Sequence, residues 1–428
     1  MIRFTGRLVA LIGTALLSHV AFAGVVGSGA PSSCTEPALA ARIAEGGLVT
    51  FNCGAGTQSI AFTYTLAIGA NNPPVTIDGN DQITFDGTGI TTGMLSIFGS
   101  ATSMPDVTME HITIANGDIT TGLNAGGAIQ NFGKLMLDSV VLRNNRSSGS
   151  GAIFQEPCTG CLTPLLVATR CVFQNNSTGG GAISIQGGYA SIVESTFSGN
   201  SAPRAGAIEI YGNSDFKIDA SIERCTFSGN SATATLGSGG AVAVELLNPG
   251  SVVRIVNDTF TGNTVASGGQ GAAIYVAASP VKITNCTIAG NSAGPAGSAV
   301  YFAANATSMD NTIIAGNSGG NCAFASGSSF TGGHNLQFGD STCTGATLSD
   351  PHLSPLADNG GATQTMALAA GSPAIDAADT TIAPGIDQRG ETRTDGNHDG
   401  IVAADIGAFE AAGGSGNAPL QRRRVAHH

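Results

Sequence analysis

The sequence predicts an all-β fold: a single-stranded parallel β-helix, a solenoid with a small C-terminal capping region. Three observations predict it. An apolar residue, two variable positions and Asn recur seven times, as Leu142…Asn145, Phe173…Asn176, Phe197…Asn200, Phe227…Asn230, Phe260…Asn263, Ile288…Asn291 and Ile314…Asn317. The steps of 31, 24, 30, 33, 28 and 26 residues, about 29 on average, mark a solenoid whose units cannot bury an apolar face alone. Most copies are followed by Gly-Gly-Ala-Ile or a relative, such as Gly180-Gly181-Ala182-Ile183, Ala205-Gly206-Ala207-Ile208 and Gly239-Gly240-Ala241-Val242. Between the glycines the apolar residues alternate with period two, and the segments are too short for a helical solenoid.

Taken in order, residues 1–23 read as an export signal, with Arg3 and Arg7 as the basic start, 8–17 as the apolar core and Ala21-Phe22-Ala23 as the cleavage site. That run is too short to span a bilayer comfortably, and no stretch of spanning length follows, so no transmembrane anchor is expected. Residues 24–47 are assigned to an N-terminal cap, 48–345 to the β-helix repeats, 346–411 to the C-terminal cap and 412–428 to a disordered tail.

One coil shows the logic. In Val281-Lys282-Ile283-Thr284, Val281 and Ile283 face inward and Lys282 and Thr284 outward. Asn285 suits a left-handed bend. Cys286 and Ile288 resume the inward alternation on a second strand, Gly290-Asn291 turns the chain, and Ala299-Val300-Tyr301-Phe302 supplies a third. Stacked coils would place Asn at one corner as a ladder of side-chain amides, and Gly-Ala where backbones approach closely. Asp258 breaks the pattern, since its column faces inward; it predicts either a bulge or a corner carboxylate capping backbone.

The nine cysteines fit an oxidising compartment. Cys34/Cys53, Cys158/Cys161 and Cys322/Cys343 are spaced to close small loops. Cys171, Cys225 and Cys286 share one column in coils two apart, hence about 9.6 Å apart at about 4.8 Å per coil, beyond the roughly 7 Å limit for a disulfide. They are expected to be free, buried thiols.

Charge excludes a nucleic-acid partner. Without Arg3 and Arg7 the 17 basic residues fall to 15 against 29 acidic ones, a net of −14, the wrong sign for neutralising phosphates.

The Gly-Gly-Ala-Ile and Phe-x-x-Asn phrases over roughly 107–320 resemble the repeats of chlamydial polymorphic outer membrane proteins, a resemblance that implies a right-handed β-helix. Further on, Leu356-Ala357-Asp358-Asn359-Gly360-Gly361-Ala362-Thr363-Gln364-Thr365, Gly371-Ser372-Pro373-Ala374-Ile375-Asp376, Asp387-Gln388-Arg389-Gly390 and Asp405-Ile406-Gly407-Ala408-Phe409-Glu410 follow in order. This set closely resembles the choice-of-anchor Q domain of bacterial secreted or surface β-helix proteins, with Ala362 and Met366 where that family commonly has Pro and His. Residues 411–428 carry no apolar anchor or sorting motif, so plain secretion is the expectation. A solenoid needs its last coil covered; the block at 350–411 is expected to do so, with Arg389 pairing Asp405 or Glu410.

Asp395-Gly396-Asn397-His398-Asp399-Gly400-Ile401 matches the calcium-loop pattern D-x-N-x-D-G, which alternates oxygen donors and places Gly sixth. Asp395, Asn397, Asp399 and the Ile401 carbonyl would be ligands, with Asp405 one residue short of the twelfth position, where Ile406 stands. Calcium is the one cofactor predicted. Asp215, Asp219, Glu223 and Glu245 are scattered, Lys is limited to Lys134, Lys217 and Lys282, and there is no Trp to stack on sugar. His111, His334 and His352 read as isolated. The sequence thus predicts a secreted or cell-surface bacterial protein, a non-catalytic adhesion or extracellular-contact scaffold, monomeric, whose partner is an extracellular surface or glycan. The alternative is a polysaccharide lyase or glycoside hydrolase acting on an extracellular glycan.

Overall fold

The computed structural model describes residues 24–119, 126–212, 216–245, 247–278, 280–305, 307–396, 400 and 402–412. Every coil-to-coil strand pairing is parallel, and one ten-stranded sheet takes one strand from each coil, ordered along the chain from Leu66–Gly69 to Cys322–Phe324. A larger sheet takes two strands per coil, such as Val252–Val256 and Thr259–Thr261, separated by the two-residue corner Asn257-Asp258. The three strands anticipated in the coil around Asn285 are Val281–Thr284, Thr287–Ala289 and Val300–Phe302.

Inward positions stack by type. The rings of Phe173, Phe197, Phe227 and Phe260 lie face to face at 4.5, 4.8 and 4.6 Å, all fully buried. Beside them runs the amide ladder. Each Nδ2 donates to the next Oδ1 at 2.9–3.0 Å from Asn145 through Asn176, Asn200, Asn230, Asn263 and Asn291 to Asn317. Each Oδ1 also accepts the preceding Asn's backbone N–H, as Asn230 Oδ1 does from Asn200 at 3.1 Å. Buried amides are tolerated because every donor and acceptor is used.

The corner between the two strands of the larger sheet is left-handed in every coil from His111 to His334. It is occupied by His111, Ser139, Arg170, Glu194, Arg224, Asn257, Asn285, Asn311 and His334, with φ of 50–57°. The position after it needs a backbone acceptor rather than bulk. Ser195 Oγ takes the N–H of Cys171 at 3.1 Å, and Thr312 Oγ1 that of Cys286 at 3.4 Å. Asp258 does the same: Oδ1 accepts from Cys225 N at 2.6 Å and Oδ2 from Val256 N at 3.0 Å. It is the capping carboxylate, not a bulge. Burial pushes its pKa well above the usual carboxylate range.

Cys34–Cys53, Cys158–Cys161 and Cys322–Cys343 are disulfides, and Cys171, Cys225 and Cys286 are free and buried, as the spacing predicts. One helix, α1 (Glu36–Glu45), buries Leu39 and Ile43 against the first coils, and its Glu36 carboxylate accepts from Thr63 N at 2.9 Å.

At the other end the geometry differs from the expected cover. The loop 339–346 closes the last coil, pinned by Cys322–Cys343 and by Gln337, which donates to Cys343 O and Ala346 O and accepts from Cys343 N. Residues 350–411 instead run back along the flank. Thr363 Oγ1 reaches Arg224 O, Gln388 Nε2 reaches Cys225 O, and Asn257, Asn285 and Asn311 donate to the carbonyls of Ile386, Asp405 and Asp379. Thr226, Thr259, Thr287 and Ile313 are therefore buried, whereas the equivalent Val172 and Thr196 of earlier coils are half-exposed. Gly407, at φ 100°, passes so close that a Cβ there would meet Ile313 Cδ1 at 2.8 Å and Thr287 Oγ1 at 2.9 Å. The left-handed Asn corners at 257, 285 and 311 offer their side-chain amides to the flank segment.

The expected lock is also reassigned. Arg393, not Arg389, pairs with Glu410, at 2.9 Å and almost fully buried, and also donates to Asn257 Oδ1 at 2.8 Å. Arg389 pairs with Asp387 at 2.7 Å and lies 3.7 Å over the Phe409 ring. These charges bind backbone and one another, which makes them structural.

Candidate functional site: a tyrosine-lined groove

On the ten-stranded sheet the central outward position runs in register through Ser184, Glu209, Ala243, Tyr275 and Tyr301. Two residues further along, Tyr211 is in register with Glu245. Parallel pairing with period two thus brings together residues far apart in the chain. Tyr275 and Tyr301 stack at 5.2 Å with planes 8° apart. Arg204, on the loop before the strand of Glu209, spans the two carboxylates: Nη1 lies 3.1 Å from Glu245 Oε2 and Nη2 3.8 Å from Glu209 Oε1. Its guanidinium also sits 5.9 Å from the Tyr211 ring centre. Arg204, Tyr211, Glu245, Tyr275 and Tyr301 line, with Leu236 and Gln270, an open groove of about 560 Å³.

The carboxylates are tied up. Glu209 accepts from Ser184 Oγ at 3.1 Å and lies under the backbone of Gly180, where any Cβ would overlap its Oε2. Burial raises its pKa, with Arg204 opposing the shift. Glu245 accepts from Ser238 Oγ at 2.8 Å and is mostly buried. What the groove offers a ligand is therefore the tyrosines, the half-exposed Arg204, Gln270 and the exposed Leu236. Two acids around one base leave a local formal charge of −1.

A sequence model described as the right handed beta helix region matches residues 181–350. The chain is a right-handed parallel β-helix protein. No curated protein matches it. Among solved structures, the β-helix is similar to a PL6 family alginate lyase, AlyGC, at 14% identity and TM-score 0.32 over 80% of this chain and 55% of that one. It is also similar to the A-module of the Azotobacter vinelandii mannuronan C-5 epimerase AlgE4, at 16% identity and TM-score 0.32 over 76% of this chain and 87% of that one. The chain spans only about half the length of the lyase.

The residues singled out in the sequence fare unevenly. Of the calcium loop, Asn397, Asp399 and Ile401 lie outside the described residues. Asp395 Oδ2 accepts from Gly400 N at 2.9 Å, and its Oδ1 is buried without a hydrogen-bond partner. Asp405 points into the flank segment, Oδ1 accepting from Asp376 N at 2.8 Å and Oδ2 from Ala411 N at 2.6 Å. Burial, then the neighbouring Glu410, push its pKa up to about 7. Among the scattered acids, Asp215 lies outside the described residues, Asp219 pairs with Arg254 at 2.6 Å, and Glu223 accepts from Ser221. Only Glu245 joins the groove. Glu209, Tyr275 and Tyr301 escaped the sequence reading, although the small-residue phrase whose Ala207, Ala273 and Ala299 stand two positions before them is a register mark that could have aligned them. No helix among the described residues is long and apolar enough to cross a membrane.

Proposed function

We propose that this β-helix is a secreted or surface-associated contact protein that holds a neutral extracellular glycan in the groove on its ten-stranded sheet, without cleaving it. The observation that carries this reading is the Tyr275–Tyr301 stack beside Arg204, with both neighbouring carboxylates engaged by protein donors. Tyrosine presents an apolar ring with a polar edge, suited to sugar faces and hydroxyls. The local net acid disfavours polyuronates, because Arg204 is already neutralised. Three disulfides support life in an oxidising compartment, and the choice-of-anchor Q resemblance of 350–411 supports an extracellular role.

Affinity electrophoresis in gels of neutral polysaccharides and of alginate tests it. Retardation is expected in a neutral gel, weakened about tenfold by Tyr275→Ala/Tyr301→Ala, a loss in keeping with removing two aromatic anchors. Release of new reducing ends or unsaturated sugars by the wild type would sink the non-catalytic reading. It would favour a hydrolase or lyase, whose one supporting observation is the pair Glu209 and Glu245 gathered on Arg204. Calcium on the loop of Asp395, Asn397, Asp399 and Ile401 is proposed on the loop pattern and on the unpartnered Asp395 Oδ1, with Asp405 left to its backbone donors; a calcium-dependent rise in melting temperature that Asp395→Ala abolishes is the result expected.

A further inference from the structure

In the larger sheet, one outward column carries Asp78, Glu110 and Asp138 in register on three successive coils. Stacking like charges at the coil spacing is unfavourable unless a cation intervenes. Elsewhere the left-handed corner supplies that cation: Arg170 pairs with Asp138, and Arg224 lies 3.9 Å from the column's Glu223. Asp78 and Glu110 have no such arginine. Among the described residues no Lys or Arg pairs with either, and the corner beside them is His111, whose Nδ1 is 3.4 Å from Asp78 Oδ1.

The donor atoms of Asp78, Glu110 and His111 all lie within 4.8 Å of one another. Two ligands each about 2.1 Å from a tetrahedral ion lie about 3.4 Å apart, which is the His111–Asp78 spacing. The strands fix both carboxylates, and the corner fixes the imidazole. Beside Asp78 opens a groove of about 440 Å³ lined by Asn52, Gln58, Asn80 and Gln82, which gives a bound ion an open side for water. His111 and Asp78 remain partly exposed to solvent, so an ion can enter.

We propose that Asp78, Glu110 and His111 form a binding site for a divalent first-row transition ion, zinc foremost. One nitrogen and two carboxylates select such an ion over calcium, which takes six to eight oxygens. The site lies on a different sheet from the tyrosine groove and does not depend on the glycan reading. His111 was read as isolated because its partners sit one and 33 positions away and meet only through the parallel register.

The test is isothermal titration of zinc into the chelator-stripped full chain carrying His427→Ala/His428→Ala, which removes a competing pair of imidazoles. One zinc per chain is expected. His111→Asn uses a residue the same corner carries at Asn257, Asn285 and Asn311, and Glu110→Thr one the same column carries at Thr169 and Thr284, so both are expected to fold. Each should weaken zinc by about tenfold or more, as loss of a ligand requires at least what loss of a supporting residue costs. Circular dichroism verifies the fold of each variant. No zinc uptake by the wild type, or folded variants binding zinc as tightly as it does, would overturn the assignment.

Discussion

At the residue scale, the two inward polar columns obey different rules. Asn230 is held by four groups: Oδ1 accepts from the backbone and Nδ2 of Asn200, and Nδ2 donates to Phe197 O and Asn263 Oδ1. Asn230→Ala strands buried donors and acceptors on both sides, and should cost about 3 kcal/mol or more in chemical denaturation. Asn317→Ala, at the partly exposed end of the ladder, should cost distinctly less. Asp258 is the opposite case, a carboxylate where Ser195 and Thr312 do the same capping without charge. Asp258→Thr should stabilise the protein by about 1 kcal/mol, since a hydroxyl caps Cys225 N without desolvating a charge. A lower denaturation midpoint in this variant would show that the second bond, from Val256 N, outweighs that gain.

At the element scale, the flank segment is joined to the solenoid by a small apolar cluster of Ile313, Leu336, Leu368, Ala374, Ile406 and Phe409 and by buried polar bonds. Arg393 is the critical bond, because it reaches Glu410 and Asn257 at once. Arg393→Ala leaves a buried Glu410 without its counter-charge, a change of about 3–5 kcal/mol. Limited proteolysis should then cut within 350–411 while leaving the solenoid intact. If the segment stays as resistant as in the wild type, the apolar cluster alone holds it.

At the scale of the whole molecule, attachment of the flank should depend on pH through Asp405. Its folded pKa of about 7 stands above the ordinary aspartate value of about 3.9. A carboxyl raised on folding contributes stability that is fully present below the unfolded value and is lost as pH rises to the folded one. The segment should therefore loosen between about pH 4 and pH 7, seen as faster amide exchange in 350–411 at pH 7.5 than at pH 4.5 after correction for intrinsic rates. Asp405→Asn should flatten the difference; an equal pH response in that variant would assign it to Glu410, whose pKa burial also raises.

The repeat alone determined the coil. The step between successive Asn residues set the coil length, period-two alternation set which residues face inward, and the cysteine columns separated loop-closing pairs from buried thiols. These properties are local, or repeat at a fixed interval, so a linear reading finds them. Tertiary structure decided where 350–411 lies, which arginine holds Glu410, and which surface residues meet. Glu209, Glu245 and Arg204 converge, as do Asp78, Glu110 and His111, through a parallel register that coils varying from 24 to 33 residues conceal. Inward positions are constrained by neighbours of the same kind and announce themselves; outward positions acquire meaning only when the coils are stacked.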